Sequence, residues 1–269
     1  MTPHPFLERG LTVLETRLTK PRGSFAPLAA TRPFITLARE TSAGATTVGQ
    51  LLVPMLDEVL GEKGQGWVFL DKNLLTHALA QHHLPERLAQ YLPEDRISEI
   101  KDIIGEFMGL HPPLWELEQQ VLEAILQLAQ VGRVIFVGRA SFLVTKSLPA
   151  GFHVRLIASP EVRLRRTMAL LKCDEKAARE HMQGTDRGRQ RYMKTRFGSN
   201  ADDPHLYDLV INTDRISAPT TARIIVDSLR DRLADLQSGL TEVGRQSDPA
   251  PAPAVAAGPP TPPEFSPEI

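Results

Sequence analysis

Short apolar runs alternate along this chain with longer stretches of helical periodicity. The apolar runs are typical of strands that are covered on both faces, and they are found at 34–38, 67–70, 133–137, 154–158 and 209–212. Helices are predicted at 46–60, 114–130, 160–171 and 219–237. Strands separated by helical crossovers predict an α/β fold of three layers, with a mainly parallel sheet and helices on both of its faces.

The two ends of the chain break this alternation. Leucines between residues 7 and 18 have helical spacing, but a stretch containing proline and glycine separates them from the first strand. Residues 240–269 are rich in proline and alanine, and proline removes hydrogen-bond donors and fixes φ. We therefore predict an N-terminal extension at 1–32, one domain at 33–239, and a disordered tail that is either a solvated end or a docking peptide.

The loop between the first strand and the first helix consists of small residues. Its members are Ser42, Ala43, Gly44, Ala45, Thr46 and Thr47. Because N–H groups at a helix start lack intrahelical partners and the helix dipole is positive there, this loop predicts a phosphate site. In the usual phosphate-loop pattern a lysine follows the second glycine, but here Ala45 has that place and Arg39 has that of the first glycine. The alternative is an ordinary turn whose threonines cap the helix.

Cations are concentrated just after residue 186. Five of the ten residues in 187–196 are lysine or arginine. On a helix, Arg187 and Arg191 would share one face with Lys194, and Arg189 would lie on another. The arginine fork matches phosphate geometry, so such a cluster over a phosphate loop would neutralise a transferred phosphoryl group. The alternative is a solvated helix face, while the shortage of interleaved aromatic residues disfavours nucleic-acid binding.

Polar residues also follow the other predicted strands. Asp71, Arg139 and Ser159 come at strand carboxyl ends, where the ligands of parallel sheets bind. Arg39 or Arg139, if buried, needs an anion, either a phosphate or a carboxylate. Asp71 is alternatively a helix N-cap, and Arg139 a member of a structural ion pair. The histidines lack metal-ligand spacing, so we expect them at the surface.

Composition excludes several classes of protein. The chain of 269 residues has a formal net charge of -1, so it has no global attraction to nucleic acid or to anionic membranes. Its single cysteine, Cys173, excludes an internal disulfide framework and a cysteine-based zinc cluster. No stretch approaches the roughly 18 apolar residues of a membrane span, and the N-terminus lacks a signal-peptide pattern. We expect a cytoplasmic protein with neither nucleic-acid nor membrane partners.

Five segments follow one another in a recognisable order. They are ITLARETSAGATT, FLDKNLL, VIFVGRASFLV, RLIASPEVRLRRTM and TDRGRQRYMKTRFGSNADDPHLYDLVINTDRIS. The last is the most specific, because a D-R-x-R-x-R-[YF] stretch precedes F-G and D-P-x-x-Y-D-L-V-x-N-T. Over about 34–230 this order resembles the cytidylate kinase-like family, relatives of the nucleoside monophosphate kinases. The resemblance implies a P-loop kinase-type fold with a helical lid at about 180–203.

The resemblance also implies an activity and a set of site residues. The activity is transfer of the γ-phosphoryl group of ATP to a nucleoside monophosphate with Mg²⁺, and CMP or dCMP is the favoured acceptor. By position, Ser42 to Thr47 would bind the ATP phosphates, with Thr47 on Mg²⁺. The acceptor site would include Asp71, Arg139 and Asp186. The lid arginines would be Arg187, Arg189 and Arg191, and either one of these or Arg39 would replace the missing lysine.

Two other functions are open at this point. The first is a nucleotide-binding or regulatory module without turnover, because Ala45 stands where the lysine is expected and the termini could serve a protein partner. The second is a kinase that acts on a small molecule other than a nucleotide, because nothing in 73–130 spells out a pocket for a base.

Overall fold

The computed structural model describes residues 32–60, 66–71, 115–138 and 140–238, with the backbone alone at 115–120 and 237. The predicted N-terminal extension, apart from Arg32, and the predicted tail at 240–269 lie outside these residues. Arg139 also lies outside them.

Five parallel strands form the sheet. They are β1 (Phe34–Arg39), β2 (Val68–Leu70), β3 (Val134–Val137), β4 (Gly151–Ile157) and β5 (Leu209–Asn212). The helices of the described residues are α1 (Ala45–Leu60), α2 (Trp115–Val131), α3 (Ser141–Val144), α4 (Pro160–Leu171), α5 (Glu175–Phe197) and α6 (Ala218–Ser238). A 3₁₀ turn at Pro204–Leu206 precedes β5.

Most predicted bounds agree with these elements to within one residue, and β4 is the main exception. It begins at Gly151 instead of residue 154. Gly151 and His153 interrupt the apolar run, so the hydrophobic pattern alone does not include them in the strand. In the structure, Gly151 pairs with Phe34, and the strand extends along the whole of β1. Tertiary pairing therefore decides where this strand starts.

The order of the strands in the sheet is β2-β3-β1-β4-β5. The chain leaves β1 toward one edge and later returns past it to build the other edge, so the direction of winding reverses beside β1. In open parallel sheets, ligands bind outside the carboxyl ends of the strands at such a switch point. This topology places the loop after β1 at the expected crevice.

Neighbouring residues of β1 contact opposite layers. Leu37 lies under Gly49 of α1, together with Phe69 of β2. Ala38, the next residue, belongs to a separate apolar cluster with Phe142 of α3. Because successive side chains of a strand point to opposite faces, helices cover both faces of the sheet. The predicted three-layer α/β fold is confirmed.

One histidine contradicts the expectation of surface histidines. His153 of β4 is only 9% exposed, and its Nδ1 lies 2.9 Å from the hydroxyl of Thr36. Burial lowers its pKa to about 4, although Asp208 opposes that shift. The expectation was wrong because the hydrogen-bond partner of His153 is the hydroxyl of Thr36 on the neighbouring strand β1. The sequence around His153 does not indicate this partner. His153 is therefore a neutral core residue at pH 7.

The long helix α5 is held to the protein through few apolar residues. Its first turn is capped by Asp174, whose Oδ1 accepts from the N–H of Ala177 at 2.8 Å, and it ends at Gly198 with φ 60°. Of its 23 residues, the buried ones are Ala178, Met182 and Met193. Polar contacts therefore contribute much of its attachment to the sheet.

The contact between α1 and β2 leads to a stability prediction. A Cβ at Gly49 would lie 2.8 Å from Cδ2 of Phe69, whose side chain is 3% exposed. We expect Gly49→Ala to lower the free energy of unfolding by about 1–3 kcal/mol through overpacking, despite the better helix propensity of alanine. Chemical denaturation measures this change.

The matched control is Gly184→Ala in α5. A Cβ there meets nothing within 4 Å, so we expect the free energy of unfolding to rise by about 0.5–1 kcal/mol. A Gly49→Ala protein as stable as the control would contradict this description of the packing.

Candidate functional site

The loop after β1 turns through two left-handed residues. Ser42 has φ 61° and Gly44 has φ 95°, and the N–H of Val48 bonds to the carbonyl of Gly44 at 3.0 Å as α1 begins. A Cβ at Gly44 would meet nothing within 4 Å, so glycine is required here by the positive φ and not by close packing. The loop is thus open on the side of Gly44, next to the positive end of α1.

The outer side of the loop is tied to the rest of the protein. Thr213, just after β5, donates its hydroxyl to the carbonyl of Ala43 at 3.0 Å. Arg166 of α4 donates to the carbonyl of Thr213 at 2.7 Å and to its hydroxyl at 2.9 Å. The hydroxyl of Ser42 lies 2.7 Å from that of Thr167. These bonds hold the loop in one shape, as preorganised anion binding requires.

The loop lines a cavity of about 590 Å³. The loop residues from Ser42 to Thr47 form one wall, and Arg166, Leu170 and Thr213 contribute to the others. Thr46 and Thr47 are exposed, whereas Ala45 is 4% exposed and packs into the core. The volume is in the range of small-molecule sites.

Arg39 ends β1 as a largely buried cation. Its guanidinium lies over Gly138, where a Cβ would approach the Arg39 Cζ to 3.0 Å. Gly138 has φ 85°, so both its backbone and its missing side chain accommodate the arginine. Burial and the charge of Arg189 lower the pKa of Arg39 to about 10, while Asp71 after β2 raises it. Arg39 is therefore still a cation at neutral pH.

Asp186 of α5 binds the loop and two arginines at once. Its Oδ1 accepts from the Thr41 N–H at 3.0 Å and from the Thr41 hydroxyl at 2.6 Å. Arg163 of α4 donates to Oδ2 at 2.6 Å, and Arg189 donates to Oδ1 at 3.1 Å. Although burial alone would raise the pKa of Asp186, these bonds and the charge of Arg163 hold it below its ordinary value. This carboxylate joins α5 to the loop after β1.

A second cavity of about 560 Å³ adjoins the first. Four residues line both cavities: Arg39, Glu40, Thr185 and Arg189. Glu40 is fixed there, because its Oε2 accepts from the Ala158 N–H at 3.0 Å. Beyond this junction the second cavity runs between α5 and the sheet. Two ligand-sized spaces therefore share one wall that carries two guanidinium groups.

The structure separates the three arginines that sequence grouped together. Arg189 lines both cavities and lies 3.0 Å from the hydroxyl of Thr41. Arg187 is exposed, its Nε donates to the carbonyl of Gln183 at 3.1 Å, and it lines a separate cavity between α4 and α5. Arg191 is also exposed and lines neither cavity. Asp71 follows β2 and raises the pKa of Arg39, but it lines neither of the two cavities. Arg139 lies outside the described residues.

Several site residues were not found from the sequence. Arg163 and Arg166, one helical turn apart after the α4 cap Ser159, are the clearest omission, since that spacing puts both on the loop side of α4. Thr41 and Thr213 gave no such signal, because their partners are distant in sequence. Thr41 and Asp186, for example, are separated by 145 positions.

Two features are absent from the part of the chain that the structure describes. Within 32–60, 66–71, 115–138 and 140–238, no group of three or more His, Cys, Asp or Glu residues is placed to hold a metal ion. Across the same residues, no helix is long and apolar enough to cross a membrane.

Comparison with known proteins gives a consistent family. Residues 34–215 match the model of the cytidylate kinase-like family. Cytidylate kinase of Pyrobaculum arsenaticum is 34% identical over 114 residues, which are 42% of this chain and 60% of that protein. The match thus spans less than two thirds of that relative.

Two solved structures resemble this chain to different degrees. An uncharacterized protein from Eubacterium ventriosum superposes with a TM-score of 0.58 at 18% identity, covering 74% of this chain and 99% of that one. Shikimate kinase from Bacteroides thetaiotaomicron gives a TM-score of 0.40 at 15% identity, over 75% of this chain and 98% of that one. The first likeness supports the fold, and the second is too distant to bear on function.

The bonds to Asp186 predict acid sensitivity of the fold. Because its folded pKa lies below the ordinary value of 3.8, ionised Asp186 stabilises the fold fully above that pH, and the contribution is lost as pH falls through the folded pKa. We expect Asp186→Asn to unfold more easily than the wild type at pH 6, and the difference to shrink toward pH 3. Urea denaturation at several pH values measures it.

Glu175→Gln is the control for this series. Glu175 pairs with Arg179 on the same helix at 2.6 Å, but its side chain is 60% exposed, so solvent screens the pair and little change is expected. A deficit of Asp186→Asn that stays constant from pH 6 to pH 3 would contradict the role given to the carboxylate.

Proposed function

Because this chain belongs to the cytidylate kinase-like family, we propose that it transfers the γ-phosphoryl group of ATP to a nucleoside monophosphate. The observation that carries the proposal is the pair of adjoining cavities with Arg39 and Arg189 in their common wall. In in-line phosphoryl transfer, the phosphate donor and the acceptor lie on opposite sides of the transferred group. Cations beside that group neutralise the charge that it carries in the transition state.

The loop cavity would hold the donor. The loop from Ser42 to Thr47 would surround the ATP phosphates at the positive end of α1, as the open side of Gly44 allows. The N–H of Ala43 bonds to the carbonyl of Glu40, so the other N–H groups of the loop would contact the phosphates. Mg²⁺ fits this setting, since it keeps several waters and takes few protein ligands beside the phosphates. Bound there, it would neutralise charge between the β and γ phosphates. Thr47, exposed in the cavity, is the residue that would hold it.

Arg39 would replace the lysine that is absent at Ala45. Its burial at the junction of the cavities and its pKa of about 10 suit a fixed cation that is charged at neutral pH. A guanidinium already in place needs no reorganisation as charge develops, which is the basis of electrostatic catalysis. Arg163 and Arg189 would add charge from the α4 and α5 sides.

The second cavity would hold the acceptor. We propose Asp71, Arg139 and Asp186 as its contacts, and CMP or dCMP as the favoured acceptor because the relative from Pyrobaculum arsenaticum is a cytidylate kinase. Asp186 now holds Arg163 and Arg189, so a phosphate that binds both arginines would compete with this carboxylate. Acceptor binding and the docking of α5 would then be coupled.

We propose further that residues 180–203 form a lid on a domain that spans 33–239. The small apolar attachment of α5 is what permits such a movement. Arg187 and Arg191 would reach the phosphates only after this segment moves, whereas Arg189 is already at the junction. Closure would exclude water from the transferred group.

One observation favours a second candidate, a nucleotide-binding module without turnover. Ala45 is packed in the core where a lysine would reach the phosphates. In this case the N-terminal extension at 1–32 and the tail at 240–269 would contact a protein partner.

The test of the proposed function is ADP production from Mg-ATP with a panel of ribo- and deoxyribonucleoside monophosphates and a no-acceptor control. We expect turnover that depends on the acceptor and is highest with CMP or dCMP. Saturable ATP binding without turnover for any acceptor would support the binding module instead.

The charge of Arg39 gives the first prediction for turnover. We expect Arg39→Met to reduce kcat by about 10²–10³-fold while ATP still binds, because a preorganised cation is lost from the transition state. The matched control is Arg230→Met on α6, where the side chain is 54% exposed and pairs with Asp227. Equal kcat values for the two variants would remove Arg39 from the mechanism.

The different positions of Arg187 and Arg189 give the second prediction for turnover. We expect Arg189→Ala to reduce kcat/KM by about 10²-fold or more and Arg187→Ala by about tenfold, because only Arg189 is at the junction before any movement. Steady-state kinetics with the best acceptor measures both, and a larger effect at Arg187 would contradict this order.

A further inference from the structure

The second cavity has two chemically different ends. At the junction it is lined by the cations Arg39 and Arg189, and Arg163, which shares the carboxylate of Asp186 with Arg189, also lines it. At the far end it is lined by Phe142, Tyr192 and Tyr207, which do not line the loop cavity. A space with cations at one end and aromatic rings at the other fits a ligand that carries a phosphate on one side and a flat ring on the other.

The aromatic end is built from two ring pairs. Phe142 and Tyr207 have ring centroids 4.7 Å apart, with an interplanar angle of 37°. Tyr192 of α5 meets Phe197 edge-on at 5.8 Å. Rings that already pack on each other offer a rigid apolar wall at small entropic cost. Stacking alone does not distinguish one flat ring from another, so discrimination requires polar groups in the same place.

Arg155 of β4 supplies the first polar group. Its side chain is 8% exposed, and it forms an ion pair with Asp202. It also donates to the carbonyl of Ala201 and, at 3.4 Å, to the hydroxyl of Tyr207. The Tyr207 hydroxyl itself donates to the Ala201 carbonyl at 2.8 Å. Arg155 therefore holds the Ala201 backbone and the side chains of Asp202 and Tyr207, which line this end of the cavity.

Asp202 is the accessible member of the group. Its side chain is 51% exposed although Arg155 holds one of its oxygens, and the other oxygen accepts from Gln190 of α5 at 3.3 Å. A carboxylate offers about four lone-pair positions, so both oxygens can accept further bonds. An ionised carboxylate only accepts, so it favours a donor on the ligand and disfavours an acceptor.

On the basis of the proposed function, we infer that Asp202 recognises the ring of the acceptor nucleotide and that Arg155 is the residue that positions it. Asp202 accepts a hydrogen bond from an exocyclic amino group, and the ring stacks against Phe142 and Tyr207. A keto oxygen in the same place would face the carboxylate and lose its hydrogen bond. The ring class selected is one with an exocyclic amino group at this place, as in cytosine, over a ring with a keto oxygen there, such as uracil.

The experiment compares kcat/KM for CMP and UMP in the full chain and in Asp202→Asn. The amide keeps the size of the side chain but adds a donor, so it can bond to a keto oxygen. We expect the CMP to UMP preference to fall by about tenfold or more, through weaker use of CMP and better use of UMP. The KM for ATP should not change, because Asp202 does not line the loop cavity.

The matched control is Asp203→Asn. Asp203 does not line the second cavity, and its Oδ1 accepts from the N–H of His205 at 2.9 Å, a role that asparagine can keep. Equilibrium binding of CMP and UMP without ATP provides a second measurement that does not depend on turnover.

The outcomes distinguish the inference from the proposal on which it rests. A shift of preference in Asp202→Asn alone supports the inference. Turnover with an unchanged CMP to UMP ratio, or an equal shift in Asp203→Asn, overturns the inference and leaves the proposed kinase activity standing. A wild-type protein that neither binds nor phosphorylates any nucleoside monophosphate overturns both.

Discussion

Positive charge concentrated at the carboxyl end of β1 is the constraint on which the rest of the site depends. Arg39, Arg163 and Arg189 converge there, and a guanidinium removed from water is costly unless an anion faces it. Asp186 accepts hydrogen bonds from two of these arginines, Arg163 and Arg189. It also accepts from the N–H of Thr41 in the loop. A phosphoryl group offers the same acceptor chemistry with three oxygens, so it can take over these donors. In addition to its few buried apolar residues, α5 is therefore joined to the loop through this carboxylate.

The fold was predictable because its signals are local. Continuous apolar runs marked the buried strands, and helical periodicity marked the helices that cover them. The start of β4 and the buried His153 were not predictable, because pairing with β1 and a hydroxyl on a neighbouring strand decide them. Local patterns therefore predict the type of an element, but they do not predict the backbone pairing and hydrogen bonds that it forms with a neighbouring strand.

The candidate site was predictable only where a motif carries it. The loop and the cation-rich helix were visible, yet the helix pattern could not tell which arginine faces the loop, and the structure places Arg189 there while Arg187 is exposed. The ion pair of Arg155 with Asp202 joins β4 to the segment after α5, and neither residue stands out alone. Sites of this kind depend on contacts between distant elements, and those contacts come from topology more than from spacing.

The central claim is that the loop and the arginines around it bind the phosphates of ATP. Backbone amide chemical shifts during titration with Mg-ATP test this most directly, because they report each loop N–H separately. The account predicts saturable shifts centred on residues 41–47, with the Thr41 N–H among the largest as Asp186 gives way. Shifts that are absent at saturating ATP, or that centre elsewhere while 41–47 stay unchanged, would contradict it.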